Sequence, residues 1–388
     1  MAIHTSYEVL SQSFNFATED QRQWWHHTAP VFVKSMTDAQ YSRDAQYKQL
    51  TFFYHCVLPH LGQFPVKINS GKPSKQRYKS NLSPYGLPFE FSLNFPELTV
   101  RYSYEPIGPE AGTMADPFNV DKMGPVIGDL AHFTPSIDTT LFRKLADLLL
   151  LSREEAKKLI SQPGFTPGGP ARGQYQFAVD MKGERPMLKG YFFTTMKSLA
   201  TGISADRLIA NAIRAVDQAG KLAAPLAEME SYTQSRAAST FITGYLGCDM
   251  IDPARARLKV YASDSEVTFE RLIDLWTLGG RIPNEATTTG RQGKGLEALR
   301  ELWDLLQIPP GIREMKVEHM ELGDPPKSLL PVIVNYTLLP NKPYPEPQVY
   351  LVPFGLPDMQ IAEALTQFFV RMGWEEAAKT YKENLFSY

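Results

Sequence analysis

Lys189-Gly190-Tyr191 and Lys259-Val260-Tyr261 each set a cation two residues before a tyrosine. Two residues is the repeat of one face of a β-strand, and both triplets lie in runs that alternate as strands do. On that spacing Arg257, Lys259 and Tyr261 share a face, opposite Leu258 and Val260. Lys189, Tyr191 and Phe193 share another, and Gln348 shares one with Tyr350. Arg101 stands between Val100 and Tyr102, and Glu90 falls with Ser92 while Phe89, Phe91 and Leu93 take the other side. An antiparallel sheet with one face in water explains any one of these strands. It explains the set less well, because these polar faces are aromatic as well as charged. Brought together around one lumen, they make a chamber of cations, phenols and one carboxylate that favours anions.

Arginine and lysine on neighbouring strands bind phosphate or diphosphate through charge-assisted hydrogen bonds. The sequence has no glycine-rich phosphate loop of the Walker or dinucleotide kind, since Gly168-Gly169 and Gly279-Gly280 lack the lysine or the spacing. It also has no DDxxD-type aspartate cluster to carry a magnesium-bound diphosphate. The cations themselves must neutralise a diphosphate here. Tyrosines beside them suit an allylic diphosphate, whose carbon–oxygen bond ionises to an allyl cation. Each aromatic face stabilises such a cation by about 0.5–2 kcal/mol when desolvated, and the rings keep water away from it. Glu90 is placed to accept a hydrogen bond from the N–H or O–H of an aromatic acceptor, enriching its ring in the transition state.

The elements that must position these groups repeat along the chain. Helical signals at 21–35 and 42–58 precede strand signals in FPVKIN (64–69), 88–95 and 98–107. Helices at 116–131, 137–150 and from Ser152, where SREE reads as a capping box, precede strands at 174–182 and 186–195, joined by a turn at Gly183-Glu184-Arg185. Helices at 204–218 and 222–235 precede strands at 240–251 and 255–264. Helices at 266–276 and 294–307 precede strands at 329–339 and 347–354, and 358–373 and 375–386 are helical again. The order is helix-helix-strand-strand four times and then a last helix pair, an α+β pattern whose meander of strands can close into a barrel ringed by helices. No shift in composition splits residues 1–388, which read as a single domain.

The 388 residues are 43% hydrophobic and 21% charged, with net charge −2. That balance excludes a nucleic-acid or membrane-surface protein built on a basic stripe. Cys56 and Cys248 are too few for a disulfide framework or a zinc site. No apolar run reaches the roughly 20 residues of a membrane span, and MAIHTSYEVLSQSF lacks a signal pattern, so a cytosolic protein is expected. His26, His27, His55 and His60 read as structural, and Trp24 and Trp276 as core anchors.

The sequence resembles the fungal dimethylallyltryptophan synthase family of indole prenyltransferases from about Ser6 to Tyr388. The resemblance is carried by DQRQWWHHTAP (20–30), YGLPFEFSLNF (85–95), VRYSYEPI (100–107), DPFN (116–119), LKGYFF (188–193), CDMIDPARARLKVY (248–261), LWTLGGR (275–281), LRELWDLLQIPPG (299–311) and PEPQVYLVPFG (345–355). It implies an antiparallel barrel inside a ring of helices, with a dimethylallyl group passing from dimethylallyl diphosphate to an indole in alkaloid biosynthesis. Glu90 takes the place of the carboxylate that contacts the indole N–H. Arg101, Lys189, Arg257, Lys259 and Gln348 match the diphosphate ligands, and Tyr191, Tyr261 and Tyr350 the tyrosine shield. Leu82, Gln176, Phe193 and Gly244 fall on the acceptor side. The resemblance implies no cofactor and no obligatory metal. The implied partners are two small molecules, the acceptor and the prenyl diphosphate, without nucleic acid or membrane, and any assembly is expected to be a homodimer.

Three features depart from the family pattern. Gln176 stands where enzymes that prenylate carbon 4 of free tryptophan carry a lysine, and Gly244 where they hold the amino-acid carboxylate with an arginine. Relatives also continue beyond Tyr388 through a last strand pair, so a barrel lacking that pair is expected. The first two departures favour a tryptophan-containing cyclic dipeptide or similar neutral aromatic over free L-tryptophan, the ergot-type alternative. Two other readings are a non-catalytic ligand-binding barrel and an unrelated phosphate-ester enzyme. Retention of Glu90, Lys189, Arg257 and Lys259 argues against the first, and the lack of a nucleophile–base pair against the second.

Overall fold

Alternation along the strands decides the architecture. In the computed structural model, which describes residues 4–65, 76–166, 172–283, 290–315, 319–322, 324–325 and 329–388, eight strands form one antiparallel sheet. They are β1 (Phe89–Asn94), β2 (Thr99–Tyr104), β3 (Tyr175–Lys182), β4 (Arg185–Phe193), β5 (Phe241–Asp249), β6 (Leu258–Asp264), β9 (Val332–Leu338) and β10 (Glu346–Tyr350), neighbouring in that order. A separate two-residue pair, β7 (Glu266–Val267) and β8 (Gly311–Ile312), lies in the connection from β6 to β9. One face of the sheet is apolar throughout. Val100, Tyr102 and Tyr104, then Phe177 and Val179, Leu188 and Phe192, Leu246 and Cys248, Leu258 and Val260, and Val334 and Tyr336 all join the main core.

Helices cover that apolar face. They are α1 (Ser6–Ser13), α2 (Glu19–Asp38), α3 (Arg43–Cys56), α4 (Met123–Phe133), α5 (Thr140–Leu149), α6 (Arg153–Ile160), α7 (Thr195–Thr201), α8 (Ala205–Val216), α9 (Ala223–Gln234), α10 (Phe269–Trp276), α11 (Gly290–Leu306), α12 (Asp358–Arg371) and α13 (Glu375–Phe386). Their starts are written in the sequence. Thr5 with Glu8 and Ser152 with Glu155 form capping boxes, and Thr18, Ser42 and Thr268 accept the exposed N–H groups of the first turn. Apolar stripes such as Leu208, Ile209, Ala212 and Ile213 on α8 then face the sheet. No described helix is long and apolar enough to cross a membrane.

Among the described residues β1 and β10 are the two edges of the curled sheet. Phe369 of α12 and Tyr381 of α13 pack on Phe95, just past β1, with ring centroids 4.6 and 5.7 Å away.

Several expectations need correction. The first and third repeats carry a third helix that was not expected, α1 and α7, while the third helix of the second repeat, α6, is the one read from Ser152. Residues 116–119 form a turn, not the start of a helix. The Asp116 carboxylate accepts the N–H groups of Val120 and Asp121, and Asn119 takes a positive φ of 53°, so the helix begins only at Met123. The hairpin turn is Gly183-Glu184, with Arg185 already paired to Lys182. Val66–Asn69 of the expected FPVKIN strand lie outside the described residues, as do Gly168 and Gly169, while Phe64 and Pro65 belong to no strand.

One position tests the packing of helix on sheet. Gly190 lets α5 approach the backbone of β4 so closely that an added Cβ would sit 2.3 Å from Phe142 Cδ2, on a ring that is 1% exposed. In an open strand Gly→Ala stabilises, but here the neighbour cannot yield. Gly190→Ala is expected to lower stability by about 1–3 kcal/mol, read as a lower urea midpoint. An unchanged or higher midpoint would contradict this contact.

Candidate active site

The other face of the sheet lines the lumen, and the registers place every group on it. Arg101 on β2 pairs with Asp180 on β3, Lys189 on β4 with Asp249 on β5, and Gly247 on β5 with Lys259 on β6. Farther along the same strands Gln176 lies beside Tyr191, Phe193 beside Tyr245, Tyr245 beside Tyr261, Tyr261 beside Asn335, and Asn335 beside Gln348. The cations therefore collect toward the end where β4 and β6 begin. The rings collect toward the other end, where β1 brings in Glu90. Charge is felt across the lumen as well: Arg101 on β2 and Tyr350 on β10 interact electrostatically, as do Tyr245 and Glu90.

The cations come with counter-ions. Asp180, its side chain 6% exposed, accepts Arg101 through Nε and through NH2 at 3.1 Å, and Lys189 Nζ at 2.5 Å. Burial raises the Asp180 pKa, but the bonds and charges of Arg101 and Lys189 outweigh it, so the carboxyl stays below its ordinary value and ionised. Burial lowers the Lys189 pKa, with Arg101 adding to the effect and Asp180 opposing it. Asp249 takes Arg257 in a two-pronged pair, Nε at 2.7 Å and NH2 at 3.2 Å. Arg257 is the residue before β6, which begins three residues later than the expected strand at 255–264, yet its carbonyl still accepts the Asp249 N–H. Among the described residues Lys259 alone of the four cations makes no ion pair. Burial, with Arg257 and Lys189 nearby, pulls its pKa down to about 8. Lys189, Tyr191, Gly247, Asp249, Arg257 and Lys259 border a small cleft. A wider surface groove bordered by Asp20, Arg77, Ile107 and Lys122 shares no residue with it.

The rings form a continuous wall. Tyr245 stacks on Tyr261 at 4.3 Å and 11°, Phe193 lies 5.0 Å from Tyr245, Tyr191 meets Tyr261 edge-on at 5.9 Å, and Tyr350 follows at 6.2 Å. Gly247 makes room for it, since a Cβ there would stand 2.9 Å from Tyr191 Cε1. Burial holds the phenols of Tyr191, Tyr245, Tyr261 and Tyr350 above their ordinary pKa. They stay neutral, and a neutral phenol is a far weaker nucleophile than a phenolate. Gln348 and Tyr350 are tied to Asn335 Nδ2, at 3.1 and 2.8 Å. Gln348 thus shares the lumen face but is hydrogen-bonded to Asn335 rather than to the ion-paired group.

Glu90 faces solvent in the lumen and has no hydrogen-bond partner among the described residues. Burial by the surrounding protein raises its pKa and Arg101 draws it back. Gln176 is lumen-facing and 8% exposed. Gly244 is the extra residue of a β-bulge between Thr243 and Tyr245, and a Cβ there meets nothing within 4 Å. Its carbonyl accepts the Thr194 hydroxyl at 3.2 Å. Leu82 belongs to a strap across the ring end of the lumen. The segment leading into β1 is bound to the one leading toward β9: Lys79 to Glu321 at 2.8 Å, His319 Nε2–H to the Ser80 carbonyl at 2.8 Å, the Met320 N–H to the Pro84 carbonyl at 2.9 Å and the Tyr85 hydroxyl to the Asp324 carbonyl at 3.1 Å. Buried Glu105 anchors the strap by accepting the hydroxyls of Tyr78 and Ser80 at 2.6 and 2.5 Å.

Asp180, Asp249, Tyr245, Asn335 and Gly247 were not anticipated from the sequence. For Asp180 a signal existed, since Gln176, Ala178 and Asp180 recur at a spacing of two on a strand flanked by those of Arg101 and Lys189.

Comparison with known proteins agrees with this geometry. The family model described as tryptophan dimethylallyltransferase matches residues 20–384. Prenyltransferase criF of Aspergillus cristatus is 46% identical, covering 98% of this chain and 91% of that protein. Echinulin prenyltransferase 2 of Aspergillus ruber is 44% identical with the same coverage. The crystal structure of NotF in complex with brevianamide F and DMSPP superposes with a TM-score of 0.81 at 28% identity, covering 98% of this chain and 89% of that one. The chain belongs to the tryptophan dimethylallyltransferase family and is an aromatic prenyltransferase.

Proposed function

We propose that the lumen transfers a dimethylallyl group from dimethylallyl diphosphate to the indole of a tryptophan-containing cyclic dipeptide or a comparable neutral aromatic. The observation that carries this reading is the division of one sheet face into a cation end and a ring end, with Glu90 among the rings. Arg101, Lys189, Arg257 and Lys259 hold the diphosphate. With Asp180 and Asp249 present they keep two positive charges in excess, enough to draw in a diphosphate and to offset the charge it gains as it departs, so turnover without a metal is expected. The C1–O bond breaks and the electron pair leaves with the diphosphate. Tyr191, Tyr261 and Tyr350 face the allyl cation, and Tyr245 continues their wall. The ring carbon of the acceptor attacks while Glu90 accepts a hydrogen bond from the ring N–H. The proton lost from that carbon passes to diphosphate oxygen or to water, because Gln176 does not take it at neutral pH.

The acceptor follows from what the ring end lacks. Gly244 supplies no charge to pair with an amino-acid carboxylate, and burying an unpaired carboxylate is costly. An amide in its place avoids that penalty. Leu82, Phe193 and the open space at Gly244 then accommodate a larger neutral body.

Three measurements test this reading. In direct competition at saturating dimethylallyl diphosphate, a tryptophan-containing cyclic dipeptide should exceed free L-tryptophan in kcat/KM. A tenfold preference for tryptophan with a 4-substituted product would place the enzyme in the ergot-type branch instead. Glu90→Gln should reduce kcat by about 10²–10⁴-fold with little change in KM for dimethylallyl diphosphate. Wild-type turnover in that variant would remove Glu90 from the chemistry. Lys259 is charged below its pKa of about 8 and neutral above it, while a phosphate ester completes its ionisation near pH 6, by about the value of a phosphorylated side chain. KM for dimethylallyl diphosphate should therefore rise as pH increases through 8, and Lys259→Ala should have a higher KM without that rise. An identical rise in the variant would assign it to another group.

A further inference from the structure

Four cations around one diphosphate create a difficulty that the reaction itself imposes. The leaving diphosphate carries more negative charge than the esterified group that entered, so the cluster that binds co-substrate well binds product better. A site of unopposed cations would retain its product. In this lumen the cluster is opposed from within. Asp180 lies on β3, between the strands of Arg101 and Lys189, and takes both cations at once. Asp249 takes Arg257. These carboxylate oxygens occupy the N–H groups that a diphosphate oxygen would use.

We propose that Asp180, with Asp249 in a lesser role, is an internal competitor for the diphosphate: it holds Arg101 and Lys189 in the empty site, yields part of their hydrogen bonds to the incoming ester, and reclaims them to release the product. Asp180 is a positioning residue, since it acts through the two cations and not on the reacting atoms. Its place fits the role. It is almost fully buried, so water does not supply the exchange, and it stays ionised in company with two cations. Asp249 differs in having a single partner, Arg257, whose side chain is 43% exposed, so water already attenuates that pair and its removal should matter less. The inference rests on the assignment of Arg101, Lys189, Arg257 and Lys259 to the diphosphate.

The experiment uses inorganic pyrophosphate as the probe. Its inhibition constant against dimethylallyl diphosphate is measured at saturating acceptor, together with single-turnover and steady-state rates, for the wild type, Asp180→Asn, Asp249→Asn and Lys259→Ala. Asp180→Asn keeps the shape and one acceptor while removing the charge. It should tighten pyrophosphate inhibition by tenfold or more and slow steady-state turnover relative to the single-turnover rate, so that product builds up in a burst. Asp249→Asn should tighten inhibition by severalfold, and it carries the test by itself if Asp180→Asn fails to fold. A damaged fold weakens binding and does not tighten it. Unchanged or weaker inhibition in both carboxylate variants overturns the proposal and leaves the aspartates as supports for their cations. Lys259→Ala separates this from failure of the site assignment: if pyrophosphate inhibits that variant as strongly as the wild type, the diphosphate binds elsewhere, and the proposal falls with the assignment.

Discussion

Arg101, Lys189 and Lys259 stand on alternate strands of one sheet face, β2, β4 and β6, with Arg257 just before β6, and their mutual repulsion sets a condition that the rest of the lumen has to meet. Burial lowers the pKa of Lys189 and of Lys259, and the neighbouring cations lower both further. An isolated buried charge would shed its proton or drag in water. The fold answers by interleaving acids with bases across the sheet, Asp180 between β2 and β4 and Asp249 opposite Lys189. The surplus then falls on Lys259. It has no ion pair of its own among the described residues, so its charge depends most on what else enters the cleft.

The same burial has a second effect at the other end of the strands. Removing water from the tyrosines keeps them protonated, and the rings present π faces instead of oxyanions. In the proposed reaction the allyl cation would meet surfaces that stabilise it without reacting with it. Backbone economy makes this possible. Gly247 leaves the space into which Tyr191 turns, and on the opposite face Gly190 lets Phe142 lie flat against the strand. Two glycines on adjacent strands thus serve two different layers, one the wall of the lumen and the other the helix coat.

What the sequence disclosed and what it hid follow from periodicity. The two-residue repeat is local, so the inward course of Lys189, Tyr191, Lys259 and Tyr261 and the outward course of Leu258 and Val260 were legible. Asp180 was legible only by reading across strands, because its spacing puts it on the face of Gln176 while its meaning comes from Arg101 and Lys189 on the strands to either side. Tyr245 was hidden for another reason. Strict alternation would put it on the same face as Thr243, but the bulge at Gly244 sends Thr243 to Ala262 on the outer face and Tyr245 to Tyr261 in the lumen. The turn at 116–119 falls inside a helical expectation, but the Asp116 side chain diverts the backbone N–H groups of Val120 and Asp121 before a helix can use them. Glu90 was legible as the lone acid opposite an aromatic face, and the resemblance of the chain to its family supplied its partner.

The sheet is assembled almost entirely from strands adjacent in sequence, whereas the strap over its ring end is not. Lys79 and Glu321, like Tyr85 and Asp324, are separated by about 240 residues. Closing so long an interval carries an entropic cost that sequential hairpins avoid, and contacts of this range tend to form late. During synthesis the first half of the strap has no counterpart until the connection to β9 has emerged. Until then the nascent lumen is open at the end where the tyrosines gather. In that order of assembly the ring end of the lumen is enclosed last, when the two distant halves of the strap meet.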